Sequence, residues 1–471
     1  MSIISKAKQE DKVLELNGKM VLQNKGIVQI PETICKIILN KETFSILPEN
    51  GGTYLFSYRE AIEALPGDYR LIIALGEEQE LQLSQLGYQY EDFIKIFIRL
   101  RNELLLKDLL FQETLKKSGF EAVFVSLDKT GLEEQSGKAE FKFYQTSLVV
   151  LPEQGELRRI LFSDILETKV DNFQIEIKTE NGDKIVISML GEKFDLFKDT
   201  LRDCLNELTI NVQNFIKGLY PEIDFATLNR FTELMKEGRA VSNKDIKTIS
   251  VEFSVRLEAN LMKTEAKEEY QFLKEMGEQE QIHLGFKKGL MGSLTGDYLW
   301  FLIPIYSQDK SKLGNAIAFE AIGEKETGRA TYFFRILGHE EYKNASKEQI
   351  DSQIDNLISQ INRGLVNINF RREPIYLSEE KLAEPEYVKY KFSIAKIPEI
   401  KLMRDLFIGR VSHRDDEQWQ KDVQDLLAFN INNNNDIEKW SAPLTADSEI
   451  IETKKPNLIK EGEENKTGEL K

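Results

Sequence analysis

The segment that decides the fold is Leu83-Ser84-Gln85-Leu86-Gly87-Tyr88-Gln89-Tyr90-Glu91-Asp92-Phe93. It recurs as Ile187-Ser188-Met189-Leu190-Gly191-Glu192-Lys193-Phe194-Asp195-Leu196-Phe197, which is an offset of 104 residues from position 83 to position 187. Before each Leu-Gly pair, apolar and polar residues alternate, whereas the apolar residues after it have helical spacing. Glycine permits the tight turn that such a change requires. The repeat therefore predicts, twice, a strand followed directly by an amphipathic helix.

The repeat extends on both sides of this segment. Leu47-Pro48-Glu49 recurs as Leu151-Pro152-Glu153, and Asn102-Glu103-Leu104 recurs as Asn206-Glu207-Leu208. The copies differ in length only where turns are expected, which is where a duplicated fold tolerates insertions. Each copy is thus predicted to contain about six or seven short antiparallel strands closed by one C-terminal helix, which is a normal domain size.

This element order resembles the pleckstrin-homology superfold, a bent antiparallel barrel closed at one end by a helix. The repeat segment from Leu86 to Phe93 is similar to an uncharacterised bacterial family with tandem pleckstrin-homology-like domains. Two further segments are similar to the same family, namely Gly328-Arg329-Ala330-Thr331-Tyr332-Phe333-Phe334-Arg335 and Asn369-Phe370-Arg371-Arg372-Glu373-Pro374. The resemblance implies an α+β protein built from tandem antiparallel barrel or sandwich modules, and it implies no activity.

The remaining pattern predicts how the chain divides. We expect pleckstrin-homology-like modules at residues 1–115 and 116–220, a helical connector at 221–279, and a third strand-rich α+β domain at 280–376. Short helices are predicted within residues 377–431, among them one at 400–407, and a disordered tail at 432–471 because few apolar residues remain there. The third domain is interpreted either as a degenerate third copy or as a distinct α+β unit.

Composition restricts the function. The chain has 471 residues and a formal net charge of −16, and such a field disfavours nucleic acid and anionic membranes as partners. Three histidines and two cysteines argue against a disulfide framework or a Cys/His zinc site. Cys35 and Cys204 lie in apolar patterns and are predicted to be buried thiols. With no signal peptide or spanning segment in the pattern, we expect a cytoplasmic protein.

The candidate ligand-contacting residues lie near the densest glycine cluster, Gly285 to Gly296. It lacks the Lys-Ser/Thr ending of a phosphate-binding P-loop. We interpret it as a flexible connection or as a partner-binding loop, with Lys287, Lys288 and Trp300 as its accessible contacts. His413-Arg414-Asp415 copies a kinase tripeptide, but the other kinase motifs are missing, so we attribute it to chance. No catalytic residue, cofactor or metal site is predicted.

The function that these features favour is a non-enzymatic interaction or scaffold protein. It would bind a protein or peptide partner through its barrel modules, because a peptide can add as a strand to an exposed sheet edge. Two alternatives stay open: an enzyme of unknown reaction with its site in residues 281–374, and peripheral membrane attachment. The scarcity of histidine and cysteine is the main argument against an enzyme.

Overall fold

The structure, a computed structural model, describes residues 12–75, 78–110, 113–288, 297–323, 329–413 and 415–441. In these ranges the chain is α+β, with two antiparallel sheets of seven strands, one of six, and helices packed against them. Among the described residues, no helix combines the length and the apolar character needed to cross a bilayer.

The first sheet consists of seven strands followed by one long helix. These elements are β1 (Lys12–Asn24), β2 (Ile27–Asn40), β3 (Thr43–Pro48), β4 (Tyr54–Ser57), β5 (Ala61–Gly67), β6 (Arg70–Leu75), β7 (Gln79–Ser84) and α1 (Tyr90–Leu110). The strand order is β4-β3-β2-β1-β7-β6-β5. The long first strand pairs with both β2 and β7, so it connects the two halves of the sheet.

The second sheet repeats this arrangement. Its elements are β8 (Leu115–Leu127), β9 (Glu133–Tyr144), β10 (Ser147–Pro152), β11 (Arg158–Leu161), β12 (Ile165–Asp171), β13 (Gln174–Thr179), β14 (Lys184–Ser188) and α2 (Phe194–Leu219). The order β11-β10-β9-β8-β14-β13-β12 matches that of the first sheet strand for strand, which confirms the predicted equivalence of strand order. Gly87 and Gly191 both have positive φ, at 61° and 56°, at the change from strand to helix.

Each long helix buries aromatic residues against its own sheet. Phe93 and Phe197, which are equivalent in the repeat, are both fully buried. The Phe197 ring centre lies 4.9 Å from that of Phe143 and 5.2 Å from that of Phe120, in edge-to-face geometry. Such contacts add to the free energy gained from burying apolar area.

The third unit consists of a six-stranded sheet with helices before, within and after it. Its elements are α3 (Phe225–Leu234), β15 (Val241–Ser242), α4 (Asn243–Ile249), α5 (Val251–Leu261), α6 (Lys267–Met276), β16 (His283–Lys288), β17 (Asp297–Ile305), β18 (Ala316–Gly323), β19 (Ala330–Arg335), α7 (His339–Asn344), α8 (Lys347–Asn367), α9 (Glu373–Tyr376), α10 (Glu379–Leu382), α11 (Lys389–Lys396), α12 (Pro398–Leu406), β20 (Phe407–Ser412) and α13 (Asp416–Asn432). These strands are neighbours in chain order, unlike those of the other two sheets, which favours a distinct α+β unit over a third copy.

Helices cover both faces of the third sheet. Trp300 and Phe319 belong to an apolar cluster that includes α8, whereas Phe301 and Phe333 belong to a second cluster that includes α5 and α13. A strand that is buried on both faces has no polar alternation, and this explains the continuous apolar run of β17.

Two predictions for the C-terminal region are wrong in part. The helix predicted at 400–407 ends at Leu406, and Phe407 is instead the first residue of β20, which pairs with β19. Residues 433–441 were assigned to a disordered tail, yet they lie along the third unit. The Trp440 N–H donates to the Ile408 carbonyl at 2.7 Å, and Arg335 donates to the Asp436 carbonyl at 2.7 Å. These two hydrogen bonds hold residues 433–441 against the third unit, which their polar composition does not predict.

We expect Phe93→Ala and Phe197→Ala each to lower the free energy of unfolding by roughly 3–5 kcal/mol, because each removes a buried ring and leaves a cavity. Urea denaturation followed by circular dichroism measures the loss. Tyr88→Ala is the control, since this side chain is 96% exposed and should change stability by no more than about 0.5 kcal/mol. Equal effects at Phe93 and Tyr88 would show that the helix faces are wrongly assigned.

Candidate functional site

Lys287 and Trp300 are buried, so their predicted accessibility is wrong. Trp300 is fully buried, and its Nε1–H donates to the Gly238 carbonyl at 3.0 Å. The Lys287 Nζ lies 2.9 Å from the Glu237 Oε1, with both side chains buried. Removing either charge would leave the other unpaired in the interior, so this ion pair has a structural role. The side chain of Lys288 and residues 289–296 of the glycine cluster lie outside the described residues.

His413 belongs to a buried cluster of charged residues. Its Nδ1 lies 2.6 Å from the Glu269 Oε1, and its Nε2 lies 3.1 Å from the Glu320 Oε2. The Arg329 Nη2 lies 2.7 Å from the other Glu320 oxygen. Two carboxylates are thereby paired with two cationic groups.

This pairing determines the protonation of His413. Burial disfavours the imidazolium, but the hydrogen bonds and charges of Glu269 and Glu320 outweigh it and raise the pKa of His413 to about 9. Asp415 accepts a hydrogen bond from the Gln418 N–H at 3.1 Å and thereby caps α13. The cluster connects α6, β18 and the end of β20, so the kinase-like tripeptide contributes residues to a structural contact.

A cavity of about 450 Å³ lies between the second sheet and helices α8, α11 and α12. The Arg363 Nη2 lies 3.4 Å from the Asp164 Oδ2, and its Nε lies 3.6 Å from the Glu399 Oε1. Burial raises the pKa of Asp164, while the Arg363 charge opposes that rise. The two carboxylates are paired with the guanidinium that separates them, so they lack the arrangement of a cooperating acid and base.

The sheet edges differ in how much backbone they leave open. Within the described residues, the edge strands are β4, β5, β11, β12, β15 and β20. β4 and β11 have four residues each, β15 has two, and the Trp440 N–H bonds to β20. Among the described residues, β5 and β12, with seven residues each, are the long edge strands that accept no hydrogen bond from a backbone N–H outside their sheet.

β12 is the more exposed of these two strands. All residues from 166 to 171 are exposed, including Leu166 at 59% and Val170 at 50%. Asn172 and Phe173, with φ of 47° and 59°, form the two-residue turn to β13. Asp171 and Gln174, the pair of residues that closes this turn, exchange backbone hydrogen bonds. Along the ladder from there, pairs that exchange hydrogen bonds alternate with pairs that do not. The alternation directs the backbone N–H and C=O groups of Thr168 and Val170 outward, away from β13.

A groove of about 240 Å³ separates β12 from α2. Most of its lining is apolar and comes from both elements, whereas its polar lining includes Glu167, Thr209 and Glu237. The apolar side chains of β12 and α2 in the lining are Ile165, Leu166, Leu205, Leu208 and Val212. Lys236 also lines the groove, and its Nζ donates to the Ile165 carbonyl at 2.9 Å. The groove thus places unpaired backbone groups beside an apolar surface, which is the pair of features that binding by strand addition requires.

In the first sheet, the corresponding space is filled. Arg101 occupies the repeat position of Leu205, is fully buried, and donates from Nε to the Ala61 carbonyl at 2.8 Å. Its Nη2 donates to the Ile62 carbonyl and lies 3.0 Å from the Glu156 Oε1. The Arg101 guanidinium therefore occupies the carbonyl groups at the start of β5.

The outer edge of β5 carries a second obstacle. Pro66 pairs with Leu71 as Val170 pairs with Ile175, so Pro66 and Val170 are equivalent in both repeat and register. Proline has no N–H, so β5 lacks the outward donor that β12 presents at this position. The two sheets share a strand order, but within the described residues only β12 of the second sheet is an open edge beside an apolar groove.

Comparisons with known proteins give no family for this chain. No family model matches it, and no curated protein matches it. Among solved structures, it is similar to a chain in the structure of the Spt16D Pob3N heterodimer, with 16% identity, and the match covers 36% of this chain and 84% of that chain. The TM-score is 0.15, and a similarity at this level supports no conclusion about fold or function.

Sequence patterns predicted neither β12 nor its groove. The alternation Leu166-Glu167-Thr168-Lys169-Val170 is a strand signal. The difference between Arg101 and Leu205 is also visible once the repeat is aligned. The sequence does not show which strand β12 pairs with. In the structure β12 pairs with β13 on one side and is the last strand of the sheet, which places it at an edge.

We expect stability to depend on pH through His413. Its pKa in the folded chain, about 9, is above the unfolded value of about 6.5. The charged His413 therefore adds fully to the free energy of unfolding below pH 6.5. This contribution, up to roughly 3 kcal/mol, is lost as the pH rises through 9. Urea denaturation from pH 6 to pH 10 measures this for the wild type and for His413→Gln. The free energies of unfolding of wild type and His413→Gln should differ most at low pH. A difference that stays the same at every pH would contradict a charged His413.

Proposed function

We propose that this chain is a cytoplasmic interaction protein that binds an extended segment of a protein partner along β12. The observation that carries the proposal is an exposed six-residue edge beside an apolar groove. The segment would add to the second sheet as a further strand, with its backbone bonded to the outward groups of Thr168 and Val170. Both cysteines are buried and unpaired, and burial raises the pKa of Cys35 to about 11, which is compatible with a reducing compartment.

We also propose that residues 1–115 and 116–220 are pleckstrin-homology-like modules. The support is the shared order of seven strands and the position of one helix after the last strand of each sheet. In this proposal the modules have different tasks. The first is structural, because Arg101 and Pro66 block its edge, and the second binds the partner.

The groove indicates what the bound segment looks like. Thr168 and Val170 pair with Ile177 and Ile175, which are buried, so all four side chains project from one face of the sheet. A strand added beside β12 would direct every second side chain toward that face and toward α2. Those side chains should be apolar, while the alternate ones would lie in solvent beside Glu167 and Lys169.

We expect Val170→Pro to weaken binding of the segment by roughly tenfold or more, because it removes an outward N–H that a bound strand needs. The substitution should leave the fold intact, since Pro66 occupies the same position in the first sheet. Val170→Thr keeps the N–H and a β-branched side chain, so it should bind within about twofold of the wild type.

The measurement begins with a library of displayed random 12-residue peptides selected against the wild-type chain. Enriched peptides are synthesised and titrated by fluorescence anisotropy against the three proteins. Amide hydrogen exchange should slow in residues 166–171 when peptide is bound. Enriched peptides that bind Val170→Pro as well as the wild type, or that leave the exchange of β12 unchanged, would refute the proposal.

A further inference from the structure

The exposed part of β12 has a sequence that is complementary to itself. It reads Leu166-Glu167-Thr168-Lys169-Val170, and Thr168 is also the midpoint of the strand, Ile165–Asp171. We infer that the partner segment is β12 of a second copy of this chain, added antiparallel about a two-fold axis at Thr168. This inference rests on the proposed strand addition and names its partner.

The backbone supports this register. Thr168 and Val170 direct their N–H and C=O groups outward, and strand pairing requires outward groups on both sides. With the axis at Thr168, Thr168 faces Thr168 of the second copy. Val170 faces Leu166 of the second copy, the residue that has no partner in β13 because the ladder shifts register between Ile165 and Glu167. An axis moved by one residue would bring together groups that are already bonded to β13.

The side chains are complementary in the same register. Glu167 faces Lys169 of the second copy, and the two-fold axis repeats this pair. Such neighbours in an antiparallel ladder stabilise the pairing when their charges are opposite and destabilise it when they are alike. Leu166 and Val170, both at least half exposed in one copy, form two apolar pairs across the axis. An axis at Glu167 or Lys169 would instead oppose like charges.

The first module provides an internal comparison. Its edge strand reads Ala61-Ile62-Glu63-Ala64-Leu65-Pro66-Gly67. A two-fold axis at its midpoint, Ala64, would place Glu63 opposite Leu65 and leave Pro66 without a donor. Self-complementarity is therefore a property of β12 and not of the shared fold, and the open groove occurs in the same module.

Charge exchange at Glu167 and Lys169 tests the inference by sedimentation velocity over a range of protein concentrations. The wild type should show a monomer–dimer equilibrium. Glu167→Lys and Lys169→Glu should each weaken self-association by roughly tenfold or more, because both cross-axis pairs become like-charged. An equimolar mixture of the two variants should form a heterodimer, and the double variant should dimerise like the wild type. Lys263→Glu, at an exposed position of the third unit, should have no effect.

The outcomes separate this inference from the proposed function. If the wild type stays monomeric at all concentrations while selected peptides protect β12 from exchange, the inference fails and strand addition stands. If neither dimer nor peptide engages β12, both fail. A dimer that is insensitive to the single charge changes uses another surface and overturns the inference. Circular dichroism of each variant confirms that a lost dimer does not reflect unfolding.

Discussion

The rest of the structure depends on the requirement that backbone N–H and C=O groups find partners, because the three open sheets of the described residues have six edge strands. Most of these edges are short or covered. Trp440 bonds to β20, and Arg101 bonds to the carbonyl groups at the start of β5. Among the described residues, β12 is the long edge strand that stays open from Leu166 to Asp171, beyond the Ile165 carbonyl that accepts from Lys236. The proposed function therefore rests on an unmet backbone requirement in the described part of the chain.

The different packing of the two long helices explains why the duplicated modules differ. Leu105 and Leu109 of α1 join the apolar cluster that includes α8, so the far side of this helix is buried. α2 is divided along its length: Phe197 packs in its own module, whereas Ile216 packs with α5 and β16. Between these regions, Leu208 is only partly buried and faces the groove.

The repeat made much of the fold predictable, since one alignment located most strands of both sheets and both long helices. The features that the repeat did not reveal depend on contacts between residues far apart in the sequence. β20 joins the third sheet after a long helical insertion, and no local pattern marks Phe407 as a neighbour of Phe334. Lys287 resembles an accessible lysine beside a glycine cluster, but its partner Glu237 lies fifty residues earlier in the chain. The open edge of β12 was hidden for the same reason, because an edge is defined by the absence of a neighbouring strand.

An exposed edge is a hazard as well as a binding surface, since unpaired strands promote aggregation. The two modules resolve this conflict differently. The first removes a donor with Pro66 and fills its groove with Arg101. The second keeps Val170 and places Glu167 and Lys169 on the strand, so that a register slipped by one residue opposes like charges. In the proposed pairing, alternating charge therefore penalises the registers that lie one residue to either side. Under the proposed function, the two copies divide these tasks: the first closes its edge, and the second keeps an edge that accepts a partner.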